Sequence, residues 1–244
     1  MKAFLLAAGK GTRLRPITDT VPKCLVDICG TPLLSIWFDL LVEAGVTEAL
    51  INTHHLPEAV RDFVRNKTPS SLKIRLAHEE ELVGSAGTIK HNRDFVAGDE
   101  EFMVIYADNL SSLSLVDFIS YHRRKKSIFT MGLFRADAPK ECGIASMDAD
   151  GRIVKFIEKP KEPESNQANA GIYVMRTSLI NDIPDKPLAD FGFDLIPGLV
   201  GKMYGYPIPD YYIDIGTLER LEKARREWPV KKIRGNHVFN QTGT

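Results

Sequence analysis

Short apolar runs alternate with amphipathic stretches over about the first 125 residues, and this alternation restricts the fold more than any other feature of the chain. Residues 2–7 are apolar and are stopped by glycine, the pattern of a strand buried on both faces. Pro32 opens an amphipathic stretch that ends at Ala44-Gly45, as a helix with a glycine after its last turn does. Strands are then expected at 49–51, 72–77 and 102–106, and helices at 57–65, 88–95 and 113–124. Such an order specifies an α/β protein with a layered sheet flanked by helices. Beyond residue 125 the character changes. Residues 128–134, 144–147, 153–157 and 171–175 are short strand candidates, and Asp148-Ala149-Asp150-Gly151 is a hairpin turn. A last helix is expected over 218–228, cut by Pro229. No linker interrupts the 244 residues, so a single domain is expected.

Lys plus Arg and Asp plus Glu each number 32, giving zero formal net charge. That balance argues against nucleic acid or an anionic membrane as the main partner. Any anion must be held by a local constellation. Cys24, Cys29 and Cys142 are too few and too dispersed for a disulfide scaffold, and a reducing, cytoplasmic setting is expected. No apolar run approaches the roughly 18 residues of a membrane span. The start of the chain reads as a first strand with no export signal, since Lys10, Arg13 and Arg15 follow its short apolar part at once.

The segment Gly9-Lys10-Gly11-Thr12-Arg13-Leu14-Arg15-Pro16 directly follows the first strand. Glycines let backbone amides approach an anion, and the C-terminal edge of a parallel sheet is where α/β proteins bind ligands. The glycine spacing fits neither the dinucleotide fingerprint nor the Walker loop. The residues alone leave two readings of this loop, a phosphate cradle and a solvated basic turn. Lys23, a dozen residues on, is a second cation that would suit a polyphosphate; taken alone it reads as an exposed lysine. Asp108 follows the strand at 102–106 and faces the same sheet edge, where Mg²⁺ beside phosphate is the natural partner of a carboxylate. Asp214 lies between Ile213 and Ile215, a setting that is costly for an acid unless it is paired or liganded; a helix cap is the competing reading. The six histidines show no zinc spacing, and no Ser/His/Asp arrangement with a nucleophile elbow is present.

Leu6-Ala7-Ala8-Gly9-Lys10-Gly11-Thr12-Arg13-Leu14-Arg15-Pro16, followed by Thr18 and Pro22-Lys23, closely resembles the signature loop of the sugar-1-phosphate nucleotidyltransferases. The resemblance continues through 82–88, Tyr106-Ala107-Asp108, Glu158-Lys159-Pro160, 169–173 and Asp214-Ile215-Gly216-Thr217, and so covers nearly all of residues 2–228. It implies a Rossmann-like mixed sheet with a smaller sugar-side β region. Residues 1–125 would form the nucleotide half, 126–228 the sugar-phosphate half and 229–244 a short tail. It implies that Ala7, Ala8, Gly9, Gly11 and Thr12 cradle the triphosphate, with Arg13 stabilising it and Lys23 orienting it. Glu80, Gly84 and Ala86 would lie near the base. Asp108 and Asp214 would hold Mg²⁺. Lys159 would hold the sugar phosphate, with Gly143, Glu158 and Asn169 near the sugar, and Asp190 and Asp194 on the same side.

The implied reaction joins a nucleoside triphosphate to a sugar 1-phosphate and releases pyrophosphate. The short form and the Tyr212–Thr217 ending look like guanylyltransferases acting on mannose- or heptose-type 1-phosphates, which favours GTP. Uridylyl, thymidylyl or cytidylyl transfer to another sugar phosphate, and a non-catalytic regulatory module, are the competing readings. Self-association into a homo-oligomer is left open. Ala107 and Ala8 depart from the glycines that the family often carries there. Residues 230–244 are too few for the left-handed β-helix tail of longer relatives, so neither acyl transfer nor its oligomer contacts are expected.

Overall fold

The computed structural model describes residues 1–234, with side chains through residue 228. The first half carries β1 (Lys2–Leu6), β2 (Asp27–Ile28), β3 (Thr31–Pro32), α1 (Leu33–Glu43), β4 (Glu48–Thr53), α2 (Pro57–Lys67), β5 (Lys73–His78) and α3 (Ser85–His91). It continues with β6 (Glu101–Tyr106), β7 (Asn109–Ser111) and α4 (Leu115–Arg124). The second half carries β8 (Phe129–Arg135), β9 (Gly143–Met147), β10 (Ile153–Glu158), β11 (Gln167–Arg176) and α5 (Ile196–Leu199). It closes with β12 (Tyr204–Pro207), β13 (Tyr212–Asp214) and α6 (Leu218–Arg234).

One mixed sheet runs through both halves in the order β10-β9-β11-β6-β1-β4-β5, with β8 pairing β11 and β12. β5, β4, β1 and β6 are mutually parallel. β11 joins this parallel core antiparallel to β6, with Ile172 opposite Ile105. The central strands bury both faces. Ala3 and Leu5 of β1 pack on one side and Phe4 on the other, and β6 divides Met103 and Ile105 from Phe102 and Val104 in the same way. This period of two on a fully buried strand requires apolar residues at every position, which is why β1 and β6 read as continuous runs. Trp37 and Phe38 of α1, Phe118 of α4 and Leu221 of α6 cover one face. Ile89 of α3 and Ile196 of α5 cover the other. The expected layered, mixed α/β architecture is therefore what forms.

Several elements differ from expectation. α3 starts at Ser85, three residues before the expected helix, and a separate 3₁₀ turn holds residues 93–96. The earlier start has a distant cause: the Ala86 and Gly87 amides donate to the Ala189 carbonyl at 2.9 and 3.0 Å, which satisfies helix-end donors that no local cap serves. β11 is ten residues long and is interrupted where Gly171 takes a left-handed φ of 66°, shifting its register against β8. α6 continues through Pro229 to Arg234 and is not cut there. A proline removes one helix donor and strains the preceding turn without having to end the helix. The short strands β2, β3, β7, β12 and β13 had no apolar run to mark them. The remaining tail, residues 235–244, lies outside the described residues.

Candidate active site

The parallel strands β1, β4 and β6 end at Leu6, Thr53 and Tyr106 on one edge of the sheet. The loop after β1 leaves this edge, and Gly11 occupies the left-handed region at φ 62°, ψ 27°. A side chain there would begin 2.8 Å from the Thr18 methyl, and Thr18 closes the loop by donating its hydroxyl to the Gly11 carbonyl at 2.8 Å. Gly9 is exposed, and a side chain there would begin with nothing within 4 Å, so protein packing does not demand a glycine at that position. Ala7 is fixed from below, because its amide donates to Asn52 Oδ1 at 2.7 Å. Asn52 in turn donates to Glu79 Oε1 at 2.8 Å, and Thr88 donates to the same oxygen at 2.5 Å. Glu80, expected near the base, is exposed, whereas its neighbour Glu79 turns inward to this network. In a run of three glutamates the sequence offers no signal as to which one faces in.

Asp108 and Asp214 meet through a small ribbon. β7 and β13 pair antiparallel with Asp214 opposite Asn109, the residue after Asp108. Asn109 holds the ribbon to the sheet by donating its side-chain amide to the Ala170 carbonyl at 3.0 Å, and Tyr212 donates its hydroxyl to the same carbonyl at 2.7 Å. The Lys23 ammonium lies 2.6 Å from Asp108 Oδ2 and 3.7 Å from Asp214 Oδ1. Arg220, in the first turn of α6, donates to Asp214 Oδ2 at 2.8 Å, and no sequence motif marks it. Arg13 is exposed, and its Nη2 lies 3.0 Å from where a side chain on Gly216 would begin, so the bare glycine leaves room for the guanidinium beside the Asp214 carboxylate.

A cavity of about 330 Å³ opens beside this pair. Asp108, Gly143, Glu158, Lys159, Asn169 and Asp214 all contribute to its wall, as does Asp190. Lys159 has a left-handed φ of 48° and anchors its amide on the Cys142 carbonyl at 3.1 Å, leaving its exposed side chain at the cavity. The Glu158 carboxylate lies against Gly143 and Gly192, where any side chain would strike it. Burial raises its proton affinity above the ordinary range; Lys159 opposes that and Asp190 adds to it. Asn169 is oriented by donating to the Tyr173 hydroxyl at 2.7 Å and accepting from the Gly171 amide at 2.9 Å. Burial, and then Asp214, also raise the Cys142 thiol, which keeps it a poor nucleophile at neutral pH.

Gly84 and Ala86 do not line the cavity; Ala86 bonds Ala189 and Gly84 packs closely against it, next to Asp190, which does line it. Ser85 donates its hydroxyl and its amide to Asp190 Oδ1, both at 3.1 Å. Asp194 is turned away, paired with Lys186 at 2.6 Å and accepting from the Asp190 amide. Thr12 is exposed on the glycine loop, and Ala8 is buried at its root.

Among the described residues no group of three or more His, Cys, Asp or Glu is placed to hold a metal ion. The two carboxylates that converge here nonetheless fit Mg²⁺, which takes one or two carboxylates and completes its shell with phosphate oxygens and water. Both already face one cation, the Lys23 ammonium. Among the described residues no helix is long and apolar enough to cross a membrane.

Comparison with known proteins supplies the family. A family model described as nucleotidyl transferase matches residues 2–229. The chain is 31% identical to mannose-1-phosphate guanylyltransferase 1 of Arabidopsis thaliana, across 98% of this chain and 70% of that one. It is 34% identical to UTP–glucose-1-phosphate uridylyltransferase of Synechocystis sp., across 98% of this chain and 66% of that one. A crystal structure of HddC from Yersinia pseudotuberculosis complexed with GMP-PN superposes with a TM-score of 0.77 at 26% identity, covering 93% of this chain and 99% of that one. The chain therefore belongs to the nucleotidyl transferase family and is a nucleotidyltransferase.

Proposed function

We propose that the enzyme joins a nucleoside triphosphate to a sugar 1-phosphate, forming a nucleotide sugar and pyrophosphate, with GTP and a mannose- or heptose-type 1-phosphate as the substrates. The observation that carries this reading is the meeting of Asp108, Asp214 and Lys23 at the mouth of a cavity walled by Glu158, Lys159 and Asn169. The wall combines a cation and the paired carboxylates with amide and carboxylate groups suited to sugar hydroxyls. The glycine loop receives the triphosphate on backbone amides, and Arg13 neutralises it and the departing pyrophosphate. Lys159 holds the sugar phosphate in line with the α-phosphorus, and Glu158 and Asn169 bind sugar hydroxyls. A phosphate oxygen is a competent nucleophile at neutral pH, so no covalent protein intermediate is needed. Alignment of two mutually repelling anions is the main task of the residues. Asp108 and Asp214 would hold Mg²⁺, which when bound would supply charge neutralisation at the phosphate oxygens.

The halves at residues 1–125 and 126–228 then bind nucleotide and sugar phosphate within one domain, in a cytoplasmic setting. The guanine preference is supported by the Arabidopsis relative and by the GMP-PN complex. A uridylyltransferase acting on glucose 1-phosphate is the second reading, supported by the Synechocystis relative. Protein and Mg²⁺ incubated with GTP, UTP, CTP, dTTP or ATP against a panel of sugar 1-phosphates test both. Sugar-dependent pyrophosphate release identifies the pair. Tight nucleotide binding with no release from any pair would overturn the proposal in favour of a regulatory module.

A further inference from the structure

Lys23 is a cation in an unusual place. Its side chain is 8% exposed, and its ammonium contacts the carboxylates of Asp108 and Asp214. A charge this far from water persists only when paired, and two converging carboxylates repel unless a cation lies between them. The ammonium, with Arg220 on the other oxygen of Asp214, thus does for the two acids what a divalent ion would do. The two roles compete, because Mg²⁺ takes carboxylate oxygens at roughly 2.0–2.1 Å and would bring a double charge up to the ammonium. An ammonium 2.6 Å from the same Asp108 carboxylate would then stand against a doubly charged neighbour.

The geometry points to Lys23 as the resident counter-ion of the metal site: it holds Asp108 and Asp214 together before ligands arrive, and the divalent cation binds by displacing it. This rests on the reading of these two acids as the metal pair. The glycine loop is the partner within reach of a released ammonium. The backbone of Lys23 is fixed in a 3₁₀ turn after Pro22, beside the buried Cys24. Its Cβ lies 3.3 Å from where a side chain on Gly11 would begin, so the flexible stem starts beside the glycine loop. Rotation about that stem carries the charge from the carboxylates to the loop that receives the phosphates. Metal and nucleotide binding become coupled: the metal frees a cation for the nucleotide, and the nucleotide offers that cation a new partner. Such coupling is reciprocal, so each ligand tightens the other.

Titration of the nucleotide-free protein with Mn²⁺, read by electron paramagnetic resonance, tests this without catalysis. Lys23→Met removes the competing charge and is expected to tighten Mn²⁺ about tenfold or more. The tightening that a non-hydrolysable triphosphate gives to Mn²⁺ binding is expected to shrink in the variant. Unchanged or weaker Mn²⁺ binding by folded Lys23→Met overturns the inference. The wild-type protein supplies an independent reading, through ¹⁵N resonances of the lysine ammonium groups. The Lys23 signal is expected to move on saturation with Mg²⁺, and an unmoved signal overturns displacement even if the variant does not fold. Absence of Mn²⁺ binding to wild type, with or without nucleotide, removes the metal pair itself and is thereby distinguished from a failure of displacement alone.

Discussion

Gly84→Ala is predicted to destabilise the protein severely although it adds one methyl group. Gly84 has φ 83° and ψ 163°, a region that is essentially closed to residues with a Cβ. The added carbon would land on the Ala189 carbonyl oxygen, with the carbonyl carbon only 2.8 Å away. These are backbone atoms, so no side-chain rotation relieves the clash. The backbone strain costs about 1–3 kcal/mol. Moving Ala189 also breaks the hydrogen bonds from the Ala86 and Gly87 amides, each worth about 1 kcal/mol. The total loss is about 3–5 kcal/mol, or a fall of about 10 °C in Tm for a chain of this size. Urea unfolding followed by circular dichroism reads it directly. The same displacement moves Asp190, which Ser85 holds, so KM for the sugar substrate is expected to rise in whatever fraction remains folded. A loss below about 1 kcal/mol would refute the clamp as a source of stability.

Gly9→Ala is the counterpart, since a side chain there meets nothing within 4 Å. Stability should hold to within about 0.5 kcal/mol, while KM for the triphosphate rises about tenfold; unchanged nucleotide affinity would show that the loop backbone does not approach the phosphates. Asp108→Asn and Arg13→Ala should each lower turnover about a hundredfold or more, with a much smaller change in KM for the sugar phosphate. Steady-state kinetics reads both, and near-normal turnover in either would remove that residue from the chemistry. His122, buried and bonded through Nδ1 to Thr130 at 2.8 Å, has its pKa pushed down to about 4, mainly by burial, with the nearby Glu101 opposing and Arg176 and Arg123 assisting. The unfolded chain therefore binds the extra proton first, and up to about 3 kcal/mol of stability is lost as pH falls from about 6.5 to 4. Urea midpoints across that range should slope downward in wild type and flatten in His122→Asn; parallel slopes would refute the assignment.

The parallel half of the sheet was legible because burial on both faces writes itself into the sequence. Ala3, Phe4 and Leu5 must all be apolar, whichever core they enter. The ribbon of β7 and β13 was not legible, since three-residue strands carry no period and their pairing is fixed by Asn109 and Tyr212 reaching Ala170. The acids at 108 and 214 were visible as chemistry, whereas their meeting through Lys23 was not. The inward turn of Glu79 belongs to the same class, because only the packing of Asn52 and Thr88 distinguishes it from Glu80. The start of α3 depended on a carbonyl a hundred residues away, which no local capping rule contains.

The ribbon also sets the timing of the enzyme's birth. A chain emerging from the ribosome presents the glycine loop, Lys23 and Asp108 once β6 has been made, and that parallel core is able to collapse early. Asp214, on the last strand before α6, is still to be synthesised. Until it arrives Lys23 has one of the two carboxylates that flank it in the folded protein. The meeting of the two acids around Lys23 therefore waits on synthesis of nearly all the described residues, although Lys23 and Asp108 lie in the first half.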